Sequence, residues 1–89
     1  MYAVIRTYSA GVHVGTIVRR EGKEVELADA RRIWSWKEAN TLSEISLRGV
    51  GRGSKISESV PRIILTEAIE IIPASDECRK SLEAVGWSK

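Results

Sequence analysis

Ser9-Ala10-Gly11 and Arg20-Glu21-Gly22 set two glycine turns close together near the start of the chain, with alternating apolar and polar residues around them. A period of two belongs to a strand with one buried face, and short alternating runs broken by glycine turns confine the chain to an antiparallel meander. Residues 2–8 put Tyr2, Val4, Arg6 and Tyr8 on one face and Ala3, Ile5 and Thr7 on the other. Residues 12–19 return as a second strand, and Lys23 to Leu27 alternates charged with apolar residues as a half-exposed third. Ala28 and Asp29 read as a short connection into a fourth strand that runs to about Lys37.

The fourth strand, Ala30-Arg31-Arg32-Ile33-Trp34-Ser35-Trp36-Lys37, is the most unusual stretch chemically. Alternation gives Arg32, Trp34 and Trp36 one face and Arg31, Ile33 and Ser35 the other. A guanidinium grips phosphate oxygens as a fork and an indole stacks on a base, so a strand of this kind suits a nucleotide. The competing expectation is core packing, in which the tryptophans are buried and the arginine stems lie across them.

Beyond this strand, Thr41-Leu42-Ser43-Glu44 forms a capping box and starts a helix of about two turns that Gly49 ends. Ser75-Asp76-Glu77 opens a second helix with Cys78, Leu82 and Val85 as its buried stripe and Gly86 as its stop. Between them, Pro61 to Pro73 holds Ile63, Ile64, Leu65, Ile69, Ile71 and Ile72, too apolar for a strand wetted on one face. It reads as a central strand or a hairpin, or as a strand at a subunit interface. The expected fold class is α+β: a small antiparallel β-sheet of about five to six strands with two short helices in a single domain, 1–89. A chain of 89 residues buries roughly 60–65% of its unfolded surface, which makes association with further copies a natural source of stability.

Charge and chemistry narrow the function. With 14 Lys and Arg against 12 Asp and Glu, the net charge of +2 is too balanced for a protein that tracks a nucleic-acid polymer. No run is long enough to span a membrane, and the start lacks the charged and apolar regions of a signal peptide, so a cytosolic location is expected. One histidine, His13, and one cysteine, Cys78, offer neither a metal-ligand spacing nor a nucleophile pair, and no carboxylate pair stands out. A non-catalytic binding protein without metal or cofactor is the expected class. His13, just past a turn, is placed either to donate to a ligand phosphate or ribose or simply to face solvent. Gly49-Val50-Gly51-Arg52-Gly53-Ser54-Lys55 is not a P-loop, since Ser54 stands where the second glycine belongs and Ile56 where the hydroxyl belongs. It is not a dinucleotide fingerprint either, because it follows a helix end. It is a glycine loop in which Arg52 and Lys55 either neutralise phosphate or are simply solvated.

Tyr8-Ser9-Ala10-Gly11-Val12-His13-Val14-Gly15, then residues 30–36, then Leu65-Thr66-Glu67-Ala68-Ile69-Glu70-Ile71-Ile72-Pro73 together resemble the first family of phage Thoeris anti-defence proteins, in the same order and over nearly the whole chain. The resemblance implies a sponge that binds glycocyclic ADP-ribose, the signal of bacterial TIR-domain enzymes, and holds it uncleaved in the cytoplasm of the infected host. It also implies cyclic di- or trinucleotide signals of CBASS defence for some members, and homodimers that build into hexamers with pockets between subunits. For such a ligand, Trp34 or Trp36 is the stacking platform, Arg6, Arg31 and Arg32 are the cations, and Tyr8, Ser9, His13 and Asn40 are polar partners for ribose, base or phosphate. Arg52 or Lys55 closes from the glycine loop. The alternative expectation is a small phage interaction module that acts on a host protein through its aromatic strand and apolar run.

Overall fold

The computed structural model describes residues 1–36, 39 and 41–85. Its elements are β1 (Tyr2–Thr7), β2 (Val12–Glu21), β3 (Glu24–Ser35), α1 (Leu42–Arg48), β4 (Lys55–Ile56), β5 (Val60–Leu65), β6 (Ala68–Pro73) and α2 (Asp76–Val85). The fold is α+β, one six-stranded antiparallel sheet with two helices. No helix among the described residues is long and apolar enough to cross a membrane.

The three meander strands form the middle of the sheet, and β3, the longest, is shared at its free edge: β5 pairs with its first half and β4 with its last residues. β6 pairs with β1 at the opposite edge. β5 and β6 therefore lie at the two ends of the order β5-β3-β2-β1-β6, although only Thr66 and Glu67 separate them. β1 and β3 run the same way, and β5 and β6 are antiparallel to them, so β5 and β6 are one strand bent at Thr66-Glu67 that changes partner. A two-residue link cannot span an open sheet, so the sheet curls until its edges meet. The Ala68 N–H donates to the Lys23 carbonyl at 3.0 Å and the Tyr8 N–H to the Glu67 carbonyl at 3.0 Å, which ties the bend to both edges. The expected central strand or hairpin at 61–73 is thereby corrected: it forms both edges and pairs with itself nowhere.

Curling gives the sheet two buried faces. Inside lie Ala3, Ile5, Val25, Leu27, Ala30 and Leu65, with Ile17, Ile63, Ala68 and Ile71 packed on them. On the outer face Val4, Val14, Ile33 and Ile56 meet Ile45 of α1 and Cys78 and Leu82 of α2. Each fully buried aliphatic side chain contributes about 1.5–3 kcal/mol, and both faces of a thin sheet are used.

The helices start as expected. Thr41 Oγ1 accepts from the Glu44 N–H at 3.3 Å, and Ser75 Oγ accepts from the Cys78 N–H at 3.0 Å. Gly49 ends α1 at φ 84°, and a Cβ there would land on the Ser81 side chain, so both conformation and helix contact require glycine. Gly86 lies outside the described residues.

Ala28-Asp29 is no connection between two strands. β3 runs straight through it, and Asp29 takes φ 51° as the extra residue of a bulge, since Val14 pairs with Arg31 and Thr16 with Ala28. The bulge reverses the phase of the strand: Val25, Leu27 and Ala30 face the inner cluster, whereas Ile33 faces the helices. Arg32 and Trp34 are carried to the inner-face side, beyond the end of that core.

Candidate functional site

Arg32 is an exposed cation of the sheet whose backbone is bonded on both sides. Its residue pairs with His13 across β2 and β3, while on its other side its N–H donates to Ser57 Oγ at 2.7 Å and its carbonyl accepts from the Ser57 N–H at 2.8 Å. The backbone is thus fixed from both edges, and the side chain projects onto an exposed surface. Two residues further on and on the same face, Trp34 is 63% exposed. Its neighbour Ile33 pairs with Val12, so the register sets Trp34 at the level of the Ser9-Ala10-Gly11 turn.

That turn is rigid. Thr7 Oγ1 donates to the Gly11 carbonyl at 2.8 Å and accepts from the Ala10 N–H at 2.9 Å. Ser9 Oγ donates to Glu67 Oε1 at 2.8 Å, joining the turn to the bend between β5 and β6. Tyr8 is 77% exposed. One end of the sheet therefore gathers Tyr8, Ser9, Arg32 and Trp34, and Lys55, which is exposed and pairs with Ser35, lies along the same end of β3.

His13 lies beneath Arg32 and is completely buried. The Arg32 Nε–H donates to His13 Nε2 at 3.2 Å. Nε2 is then the lone-pair nitrogen, so the proton of the neutral ring is on Nδ1, which has no partner among the described residues. Burial, with the Arg32 charge adding to it, pushes the His13 pKa down to about 4 and keeps the ring neutral. Neither the exposed turn histidine nor the direct ligand donor expected from sequence matches this position, because cross-strand register carries the ring inward beside Ile5.

Other candidates are placed elsewhere. Arg31 points to the helical side, where its Nε–H donates to the Ser57 carbonyl at 3.1 Å and an Nη–H to the Leu82 carbonyl at 2.8 Å. It braces the last turn of α2, and burial holds its pKa below the usual arginine value. Arg6 faces Glu70 at 3.4 Å on an exposed surface. Trp36, half-buried, packs against the cluster beneath the helices and parts from Trp34, since β3 ends at Ser35 and alternation no longer applies. Arg52 lines a cleft of about 540 Å³ with Val50, Gly53, Ser54, Ser81, Ala84 and Val85. Asn40 lies outside the described residues. No cluster of metal-ligating side chains occurs among the described residues.

Sequence reasoning overlooked Ser57 and Glu67. Ser57 serves both arginines, accepting from Arg32 through Oγ and from Arg31 through its carbonyl. Nothing in its local sequence marks it, because its partners lie 25 and 26 residues away. Cys78 is fully buried, and burial pushes its thiol up to about 11, so it is an unreactive core residue.

No curated protein and no solved structure matches this chain. Residues 1–82 match the family described as a domain of unknown function, DUF6948, and the chain belongs to that family.

Proposed function

We propose that this protein binds and sequesters a cyclic nucleotide signal without cleaving it, with glycocyclic ADP-ribose as the first candidate. The observation that carries this reading is the pair of Arg32 and Trp34, exposed on one strand face at a hydrogen-bonded end of the sheet. The guanidinium supplies a phosphate fork and the indole a base platform, and Ser9 and Tyr8 lie near for ribose or base edges. The two residue types most used as nucleophile and base are committed to other roles, His13 to Arg32 and Cys78 to the core. The resemblance to Thoeris anti-defence sponges supports the same ligand and implies the cytoplasm of the infected host as the setting.

A sponge must hold its ligand below the concentration that activates the effector, and nanomolar affinity corresponds to about −12 kcal/mol. One exposed face cannot surround a ligand with a base, two riboses and a pyrophosphate, so the site is completed by a second copy of the chain in a homodimer, and hexamers and CBASS cyclic oligonucleotides fall within the same reading. The test is isothermal titration with glycocyclic ADP-ribose, then heat denaturation and chromatography of the released ligand. Saturable tight binding with intact recovery is expected. Absence of binding rejects this ligand, and a changed product rejects sequestration.

A second reading is favoured by Ile64 and Ile69, which are 56% and 49% exposed on the two edge strands. In it the protein is a small interaction module that docks a host protein along these edges, and affinity capture from host lysate with and without Ile64→Glu tests it.

A further inference from the structure

We infer that His13 is the positioning residue of the Arg32 guanidinium: a buried neutral acceptor that fixes the cation while leaving its charge whole for an anionic ligand. The inference deepens the proposed function and rests on Arg32 being a phosphate contact in that reading.

The other arginines show what is particular about this arrangement. Arg6 faces the Glu70 carboxylate, and Arg19 is surrounded by Glu21, Glu24 and Glu26. A carboxylate orients a guanidinium but cancels its charge, which removes the attraction a phosphate would feel. Imidazole accepts one hydrogen bond and contributes no negative charge. Because His13 is completely buried, its neutral form persists through the physiological range.

Geometry adds selectivity. A guanidinium carries five N–H donors, and His13 takes the one on Nε. The four donors on the two terminal nitrogens remain, so Arg32 is presented end-on as a two-pronged fork, the arrangement that grips two oxygens of one phosphate. Ordering a long side chain at the moment of binding costs affinity, and a side chain already tied down avoids it. The buried Nδ1–H without a partner among the described residues is the structural cost of placing an imidazole here, and phenylalanine would not incur it.

These points separate positioning from packing experimentally. His13→Phe keeps an aromatic ring but has no acceptor, and His13→Gln restores a neutral acceptor. The direct readout is the Arg32 Nε–H resonance in ¹⁵N NMR at about pH 6, assigned by its loss in Arg32→Lys. It is expected to be protected from solvent exchange in the wild type, exchange-broadened in His13→Phe and recovered in His13→Gln. Affinity for glycocyclic ADP-ribose is expected to fall roughly five- to ten-fold in His13→Phe, with most of it recovered in His13→Gln. The melting temperature of His13→Phe should equal or exceed the wild-type value, which a merely structural histidine would not allow. A folded His13→Phe protein that keeps the protected Arg32 signal, or wild-type affinity, overturns the inference. If the variants do not fold, an unprotected Arg32 Nε–H in the wild type overturns it alone. If the wild type does not bind glycocyclic ADP-ribose, the proposed ligand fails and the Arg32 resonance still decides whether His13 positions the guanidinium.

Discussion

The buried imidazole makes the stability of this protein depend on pH in a window set by one residue. His13 titrates at about 4 in the folded chain against an ordinary 6.5 in the unfolded one. Between these values the unfolded chain binds a proton that the folded chain refuses, so stability rises with pH through the window and falls as pH is lowered through it. Above about pH 7 both states are neutral and the term vanishes. At about pH 4.5 it removes about 2.5 kcal/mol of stability, and below pH 4 the loss levels off at about 3.4 kcal/mol. The dominant cause is burial, and Arg32 adds repulsion of the same sign. Urea denaturation of wild type and His13→Phe at about pH 7.5, 6, 5 and 4.5 isolates the effect, since carboxylate titration is common to both. The stability difference between the two proteins should shift by about 2.5 kcal/mol in favour of the variant across this range. Parallel pH curves for the two proteins would refute the burial argument.

Arg31→Met keeps the apolar stem but strips the donors from the Ser57 and Leu82 carbonyls; a loss of about 1–3 kcal/mol is expected in urea denaturation, with faster amide exchange in the last turn of α2. Gly49→Ala forces a side chain onto Ser81 at a positive φ, and a loss of about 3 kcal/mol should lower the melting temperature by more than about 10 °C. Trp34→Ala is expected to change stability by less than about 0.5 kcal/mol because the ring is exposed, while weakening ligand binding about ten-fold or more. A large loss of melting temperature in Trp34→Ala would mean that the indole is part of a core instead.

The meander, both helix starts and the buried stripe of α2 were legible because their signals are local: alternation, glycine turns and capping side chains. The phase of β3 was legible only up to Leu27. A bulge at Asp29 depends on register with β2, and its left-handed backbone is one that aspartate tolerates without announcing it. The run 61–73 is apolar because its inward side chains serve one core while Ile72 serves the other, which composition alone reads as a central strand. His13 is harder still. Its position near a turn suggests exposure, and what buries it is pairing with Ile5 and Arg32, residues from two other strands.

Trp34 and Trp36 make the same point about the site. They share parity in sequence, yet one is exposed beside Arg32 and the other packs under the helices. The parity of Arg31 and Arg32 does survive, and it divides two adjacent cations between two kinds of work. Arg31 is turned toward helix carbonyls, where a cation caps the C-terminal end of α2. Arg32 is turned to the inner-face side, where it reaches solvent beyond the core, and is held by a ring that carries no charge. Had the bulge at Asp29 been absent, the phase of the strand would be opposite: Ile33 would join the inner cluster and Arg32 would meet the helical core, where burying its charge is costly. A single left-handed residue three positions upstream thus determines that Arg32 reaches the surface, that Arg31 braces α2 and that Ile33 closes the second core. The candidate site and the stability of the sheet therefore depend on the same local irregularity, and neither can be altered there without the other.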